Sequence, residues 1–317
     1  MTAPVSVVIA YDDGSRVHDV PGHPETAQRL RAITERLVAD PVLRRLPATV
    51  VGDADPELML GVHDETHLLA VDHIARSGGG WIDEDTYCTS RSYDVALRAA
   101  GAAVSGVGAV CGGEATAAFA LIRPPGHHAT RRRAMGFCLF NNAAVAVRAA
   151  QRRFGVGRVA IVDIDVHHGN GTQDVFYDDP SVLYSSLHQW PLWPGTGRAS
   201  ETGEGAAAGT TLNVPLAAHT TADGWLAAFD GIVAPALRRF APELIVVSAG
   251  YDAHRADRMA QLELDTATYA EVARRIGGIA AECAGGRSLW VLEGGYDLDA
   301  LSASVIATLH ALAAGEG

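Results

Sequence analysis

Short, continuously apolar runs alternate along the chain with longer Ala-rich amphipathic segments. The apolar runs predict strands at residues 5–11, 49–52, 118–122, 159–165, 182–187, 211–216, 244–249 and 289–293. Most are β-branched and apolar at successive positions, the pattern of strands covered on both faces. The amphipathic segments predict helices at residues 24–39, 65–76, 90–110, 141–154, 221–240, 266–283 and 298–314. Thr26, Asp64, Ser90 and Thr221 stand where N-caps are expected. Strands alternating with helices imply βαβ units, hence an α/β fold on a parallel sheet of about eight strands. No composition shift, long linker or internal repeat interrupts residues 1–317, so they read as one domain. The Gly- and Pro-rich stretch 189–209 follows a strand, which places it near the carboxyl edge of the sheet, where open α/β sheets bind ligands.

The apolar runs end in polar clusters. Ile161-Val162 leads into Asp163-Ile164-Asp165-Val166-His167-His168-Gly169-Asn170-Gly171. If strand geometry persists, Asp163, Asp165 and His167 share a face. Carboxylates with an imidazole suit Zn²⁺, and charge at the end of a buried strand is expensive unless compensated. Buried salt bridges alone are the weaker alternative for three polar residues ending a buried strand. In Leu121-Ile122-Arg123-Pro124-Pro125-Gly126-His127-His128, two histidines follow another strand and suit proton transfer; a histidine pair alone is more often surface or packing. Asp252, in Ser248-Ala249-Gly250-Tyr251-Asp252, can supply a third ligand. In Glu293-Gly294-Gly295-Tyr296 the glycines permit a tight turn presenting a phenol, a hydrogen-bond donor for a developing oxyanion. By itself that turn is an ordinary strand-to-helix connection.

Composition narrows the chemistry little further. Hydrophobic residues make up 48% of the 317, enough for a sizeable core. The net charge is −12 and the longest basic run is Arg131-Arg132-Arg133, which argues against direct nucleic-acid binding. All 25 basic residues are arginine. Cys88, Cys111, Cys138 and Cys283 lack metal-finger spacing and read as reduced thiols of a cytoplasmic protein. Residues 1–11 lack the features of a signal peptide, and no apolar run reaches about 18 residues, so no membrane span is expected.

Together these motifs resemble the histone deacetylase superfamily, including its bacterial deacetylase-like and acetylpolyamine amidohydrolases. The resemblance runs from Gly22-His23-Pro24-Glu25 and Arg29-Leu30 through Gly79-Gly80-Trp81, the Arg123 to His128 motif and Met135-Gly136-Phe137-Cys138-Leu139-Phe140-Asn141-Asn142. It continues through the Asp/His cluster, Pro194-Gly195-Thr196-Gly197, Ser248 to His254 and Glu293 to Tyr296. Asn170 and the E-G-G-Y form are similar to the class II branch. The resemblance implies an arginase/deacetylase-like three-layer fold. It implies one Zn²⁺ per chain on Asp165, His167 and Asp252, and a structural K⁺ on Asp163, Asp165, Ser186 and the backbone of His167 and Leu187. It makes His127 and His128 the tandem catalytic histidines, backed by Asp163 and Asn170, and Tyr296 the carbonyl-polarising residue. It places Phe137 and Trp193 as channel walls, with Gly136 and Gly294 beside them and Asp85 and Met259 at the rim.

A carboxylate behind an imidazole favours its charged form more than an amide does. His128 is therefore expected to stay neutral and act as general base, and His127 to carry positive charge. The implied substrate is an acylated amine, either acetyl-lysine in a protein or an acetylated polyamine or small metabolite. Met259 stands where a polyamine-selective branch carries glutamate, which weakens the polyamine alternative. A silent binding relative is the alternative of another class, although every implied catalytic residue is present. A two-manganese ureohydrolase needs a further ligand two residues beyond His167, where Gly169 stands.

Overall fold

Eight parallel strands form a central sheet with the order β2-β1-β5-β10-β9-β6-β7-β8. The structure, a computed structural model, describes residues 5–314. The strands are β1 Val5–Tyr11, β2 Ala48–Thr49, β5 Ala115–Leu121, β6 Val159–Asp163, β7 Val182–Gln189, β8 Thr211–Leu216, β9 Leu244–Ala249 and β10 Ser288–Leu292. The strands expected from sequence are all present, and three of the eight have the expected bounds. Each position of β6, β7, β9 and β10 is buried, which is why β6, β9 and β10 read as near-continuous apolar runs, whereas β7 also buries Ser185, Ser186, His188 and Gln189.

Helices cover both faces. α4 (Ser92–Cys111) and α5 (Asn142–Phe154) pack together on one side. On the other side α1 (Gln28–Ala39) and α9 (Thr266–Cys283) pack against α10 (Leu298–Ala313). α4 is long and apolar enough to cross a bilayer by length and composition, but 67% of its apolar window is buried inside the protein. It is a core helix, interrupted by Asp94 and Arg98.

Several local expectations are corrected. The helix expected at 221–240 is α7 (Ala222–Ala228), a π turn (Phe229–Val233) and α8 (Ala234–Phe240). Pro235 has no N–H for the preceding turn, and the wider turn accommodates that loss. Thr221 caps α7 as expected. Asp64 is the N-cap residue of α3 (Glu65–Arg76) as expected, but its side chain makes no capping bond and takes Arg132 Nε at 2.6 Å instead. Thr26 and Ser90 lie outside the observed caps, which are Ala27 and Arg91. Unanticipated elements are the hairpin β3 (Gly79–Trp81) with β4 (Tyr87–Thr89), and the short helices α2 (Pro56–Leu60) and α6 (Asn170–Phe176). Of the leader reading, residues 1–4 lie outside the described residues.

The order of the sheet positions the chemistry. β5 and β6 follow one another in sequence, yet β10 and β9 lie between them. The four strands that end in polar motifs are therefore neighbours at the centre of the sheet. Their carboxyl ends open on one crevice at a reversal of strand order.

Candidate metal and acid-base site

Asp165, His167 and Asp252 converge, each offering a ligand atom within 4.8 Å of the other two. Simple strand alternation does not produce this, because β6 ends at Asp163. The chain turns instead through short side-chain to backbone bonds. Asp163 Oδ1 accepts the N–H of Asp165 at 3.2 Å, and Asp165 Oδ1 accepts the N–H of His167 at 2.9 Å. Asp252 Oδ1 accepts the N–H of Val166 at 2.9 Å, which pins the loop after β9 to the loop after β6.

His167 Nδ1 lies 3.1 Å from Asp165 Oδ1 and 3.1 Å from Asp252 Oδ2. Both carboxylates are buried, and no guanidinium pairs with either among the described residues. Burial, then the charge of Asp165, raises Asp252 to about 7. Burial opposes the charged form of His167, but its bonds to Asp165 and Asp252 outweigh it and raise the imidazole to about 10. Glycine spares the space beside the oxygens: a Cβ on Gly294 or Gly250 would collide with the Asp165 carboxylate, and one on Gly294 with Asp252 as well. Two carboxylates, one imidazole and the cleared space fit a divalent transition metal such as Zn²⁺.

His127 and His128 lie beside this cluster, with ring centroids 3.9 Å apart. His127 Nδ1 contacts Asp163 Oδ2 at 3.0 Å, and its Nε2 is 3.7 Å from Asp165 Oδ2. Burial disfavours its charge, but Asp165 and Asp163 outweigh that, so the His127 pKa lies well above the usual histidine value. His128 Nδ1 contacts Asn170 Oδ1 at 2.8 Å. Burial, then the charges of His127 and His167, hold it well below the usual value. The two neighbours are thus driven in opposite directions, His127 by the carboxylates of Asp165 and Asp163 and His128 by burial and neighbouring positive charge, against which the Asn170 contact works.

Tyr296 follows β10. Its ring meets Phe137 edge-on at 5.7 Å, and the Arg29 guanidinium lies 5.0 Å from the ring centre. Burial raises its hydroxyl pKa well above the usual value; Arg29 works against this, while Asp252 and Asp165 add to it. Trp193 lies on the other side, edge-on to His128 at 4.6 Å and 6.2 Å from the His167 ring. Gly136 is wedged between Trp193 and His128, where a Cβ would strike both rings. The N–H of Gly294 donates to Asp165 Oδ2 at 2.9 Å, so this glycine backs the carboxylate cluster.

Asp85 belongs to an anchored turn. The Thr86 hydroxyl donates to its carboxylate at 3.0 Å and accepts from the N–H of Phe137 at 3.2 Å. Burial raises the Asp85 pKa. The structure ties Met259 to the site through its backbone, whose N–H donates to Asp257 Oδ1 at 3.0 Å. Asp163 and Ser186 are paired across β6 and β7, Leu187 follows in β7, and all three are buried.

Three contributors went unassigned in the sequence reading. Glu293 Oε2 accepts the N–H groups of Gly126 (2.6 Å) and His127 (3.1 Å), and Ser248 donates to Oε1 at 3.2 Å. Burial pushes this carboxyl up to about 7. The signal was available, since an acid ending a fully apolar strand requires partners. The Tyr184 hydroxyl donates to Asp163 Oδ2 at 3.2 Å from inside β7. Asp257 is the third, and no sequence pattern distinguishes it from a loop aspartate.

A family model described as a histone deacetylase domain matches residues 23–312. Histone deacetylase 14, chloroplastic, of Arabidopsis thaliana is 40% identical over 312 residues, spanning 93% of this chain and 74% of its own length. A probable deacetylase of Methanothermobacter thermautotrophicus is 40% identical over 309 residues, spanning 96% of this chain and 90% of its own. A histone deacetylase-like amidohydrolase of Pseudomonas aeruginosa is 41% identical over 276 residues, spanning 87% and 73%. The crystal structure of the HDA15 HD domain superposes with a TM-score of 0.92 at 37% identity, covering 98% of this chain and 90% of that one.

Proposed function

The chain belongs to the histone deacetylase family, and on that premise we propose that it is a zinc-dependent deacylase of N-acyl amines, with acetylated lysine side chains as the leading substrate class. The observation that carries the reading is the opposed pair of histidines beside the Asp165–His167–Asp252 cluster. One neutral and one charged imidazole at 3.9 Å divide the work that amide hydrolysis requires.

A bound zinc ion supplies Lewis acidity toward the amide carbonyl and lowers the pKa of a water. The chain's own groups do the rest. Neutral His128 takes a proton as water attacks the carbonyl carbon and later delivers it to the leaving amine. Tyr296 donates to the developing oxyanion, and charged His127 stabilises the same negative charge. Phe137 and Trp193 grip an unbranched alkyl stem between them, with Gly136 sparing the passage. Asp85 is assigned to the rim, where its carboxylate accepts a donor from the substrate, and Met259 is assigned to the same rim. Asp163, Asp165 and Ser186, with the backbone of His167 and Leu187, are assigned the structural K⁺. The four free cysteines accord with a reducing, cytoplasmic setting.

A turnover panel tests the reading. Purified protein is offered acetyl-lysine peptides, acetylputrescine, acetylspermidine and longer acyl-lysines, with a hydroxamate control and metal analysis. Hydroxamate-sensitive turnover with one tight transition metal per chain is expected. Metal-loaded protein that binds these amides and turns none over is instead a binding relative.

A further inference from the structure

The loop after Asp252 carries a buried carboxylate that the chemistry above does not use. Asp257 is 6% exposed and has no cationic partner among the described residues. Backbone N–H groups take up its oxygens instead. Oδ2 accepts from Tyr296 at 2.6 Å and from Asp297 at 3.0 Å, while Oδ1 accepts from Met259 at 3.0 Å. Hydrogen bonds to a carboxylate are about twice as strong as neutral ones, and a buried carboxylate requires such partners. Asp297 in turn caps α10, accepting from Ala300 at 2.9 Å.

These bonds fall at a place that needs fixing. Tyr296 follows Gly294 and Gly295, and Gly295 has φ +118°, a conformation that a residue with a side chain rarely adopts. Tyr251 N–H donates to the Gly294 carbonyl at 3.0 Å and Arg29 Nε to the Gly295 carbonyl at 2.6 Å, so the chain is held up to the residue before Tyr296. Nothing among the described residues hydrogen-bonds the Tyr296 hydroxyl, so the backbone and the packing of the ring must aim it. The ring has Phe137 at its edge and Arg29 over its face. The backbone has Arg29 on the Gly295 carbonyl before it and Asp257 on the N–H groups of Tyr296 and Asp297.

We propose that Asp257 is a positioning residue for Tyr296. It clamps the N–H groups of Tyr296 and Asp297 and ties them to the rim loop at Met259. The phenol is thereby kept aimed at the Asp165–His167–Asp252 cluster. What the phenol does there rests on the deacylase reading; the clamp itself does not.

A double-mutant cycle with Tyr296→Phe tests it. Removing an oxyanion donor costs about 10²–10³ in kcat, so misaiming one through Asp257→Ala is expected to cost about 10- to 100-fold. KM should stay within about threefold, because the loss falls on the transition state. Metal content should be unchanged. In the Tyr296→Phe background the same substitution should cost under about twofold, since coupled residues do not add. An equal loss in both backgrounds would show that Asp257 only shapes the loop, and overturns the proposal, as does an undiminished kcat.

If Asp257→Ala does not fold, Asp257→Asn keeps the shape but turns an N–H₂ toward the donors, and a smaller loss is expected in the same cycle. If the unmodified protein hydrolyses no acyl amide, the deacylase reading fails and the clamp is read by ¹⁹F NMR with 3-fluorotyrosine. The Tyr296 line, assigned by its absence in Tyr296→Phe, should shift or broaden in Asp257→Asn. An unmoved line overturns the clamp.

Discussion

Two buried clusters of charge lie at the carboxyl side of the sheet, and they are resolved in opposite ways. Around Glu25, Arg123 places Nε 2.8 Å from Oε1 and Nη2 2.7 Å from Oε2, and Arg29 Nη1 lies 3.2 Å from Oε1. Burial works against that carboxylate, but Arg123 and Arg29 hold it down to about 2. The remaining guanidinium donors go to backbone carbonyls of Ser15, Gly295 and Glu293. Around Asp165 and Asp252 the partners are imidazoles, and Asp252 is pushed up to about 7. The first cluster satisfies itself with arginines, whereas the second assembles acids whose mutual repulsion a dication would relieve. A buried carboxylate is therefore no sign of a site. What marks one is charge that the chain's own residues leave in conflict.

The largest effect expected from this contrast comes from Asp252→Ala. It should abolish tight binding of the transition metal and lower kcat/KM by at least about 10³-fold, with a ligand and an orienting group lost together. Metal analysis and steady-state kinetics read both. In metal-free protein the same substitution removes one of two repelling acids but also the acceptor of the Val166 N–H and a partner of His167, so it should lower the midpoint of urea unfolding less than the loss of the Glu25 carboxylate does. Glu25→Gln should behave in the opposite way, leaving two buried guanidiniums without their anion at a cost of about 3–5 kcal/mol, with metal stoichiometry intact. Glu25 has a lowered folded-state value, from 4.5 to about 2, so its stabilisation is present above pH 4.5 and is lost as pH falls toward 2. The stability gap between the natural chain and Glu25→Gln should narrow across that range. A gap constant with pH would mean that Glu25 acts through packing alone.

The same contrast marks what sequence reading reaches. β9 and β10 were legible because both faces are covered, so burial prints a continuous apolar run. The Asp/His cluster was legible because polar residues ended such runs. Glu25 and Arg123 were not read as a pair, since their partnership spans 98 positions and is made only when β5 comes to lie beside β1. Glu293 meets Gly126 across 167 positions. Strand alternation groups Asp163, Asp165 and His167, whereas the structure gathers Asp165 and His167 with Asp252 through Asx-type bonds in the turn and sets Asp163 against His127. The hairpin at 79–89 has strands of three residues each, too short to show a period.

The histidine pair repeats the contrast in miniature, and variants there give smaller effects. His128→Ala should lower kcat by about 10²–10⁴-fold, the range for a general acid–base, and His127→Ala by about tenfold less. The reverse order would assign the proton transfer to His127. Asn170→Asp is the subtler test, because it makes the two histidines alike. A carboxylate behind His128 Nδ1 in place of the amide oxygen at 2.8 Å favours the imidazolium. In the natural chain, burial and the charges of His127 and His167 hold that pKa low, so the base is free well into the acid range. Raising it leaves the base protonated to higher pH. The acid limb of kcat/KM should therefore move upward by about one to two pH units, while activity at alkaline pH changes little. An unmoved limb would mean that Asn170 only orients the ring and that His127 and burial alone keep His128 neutral.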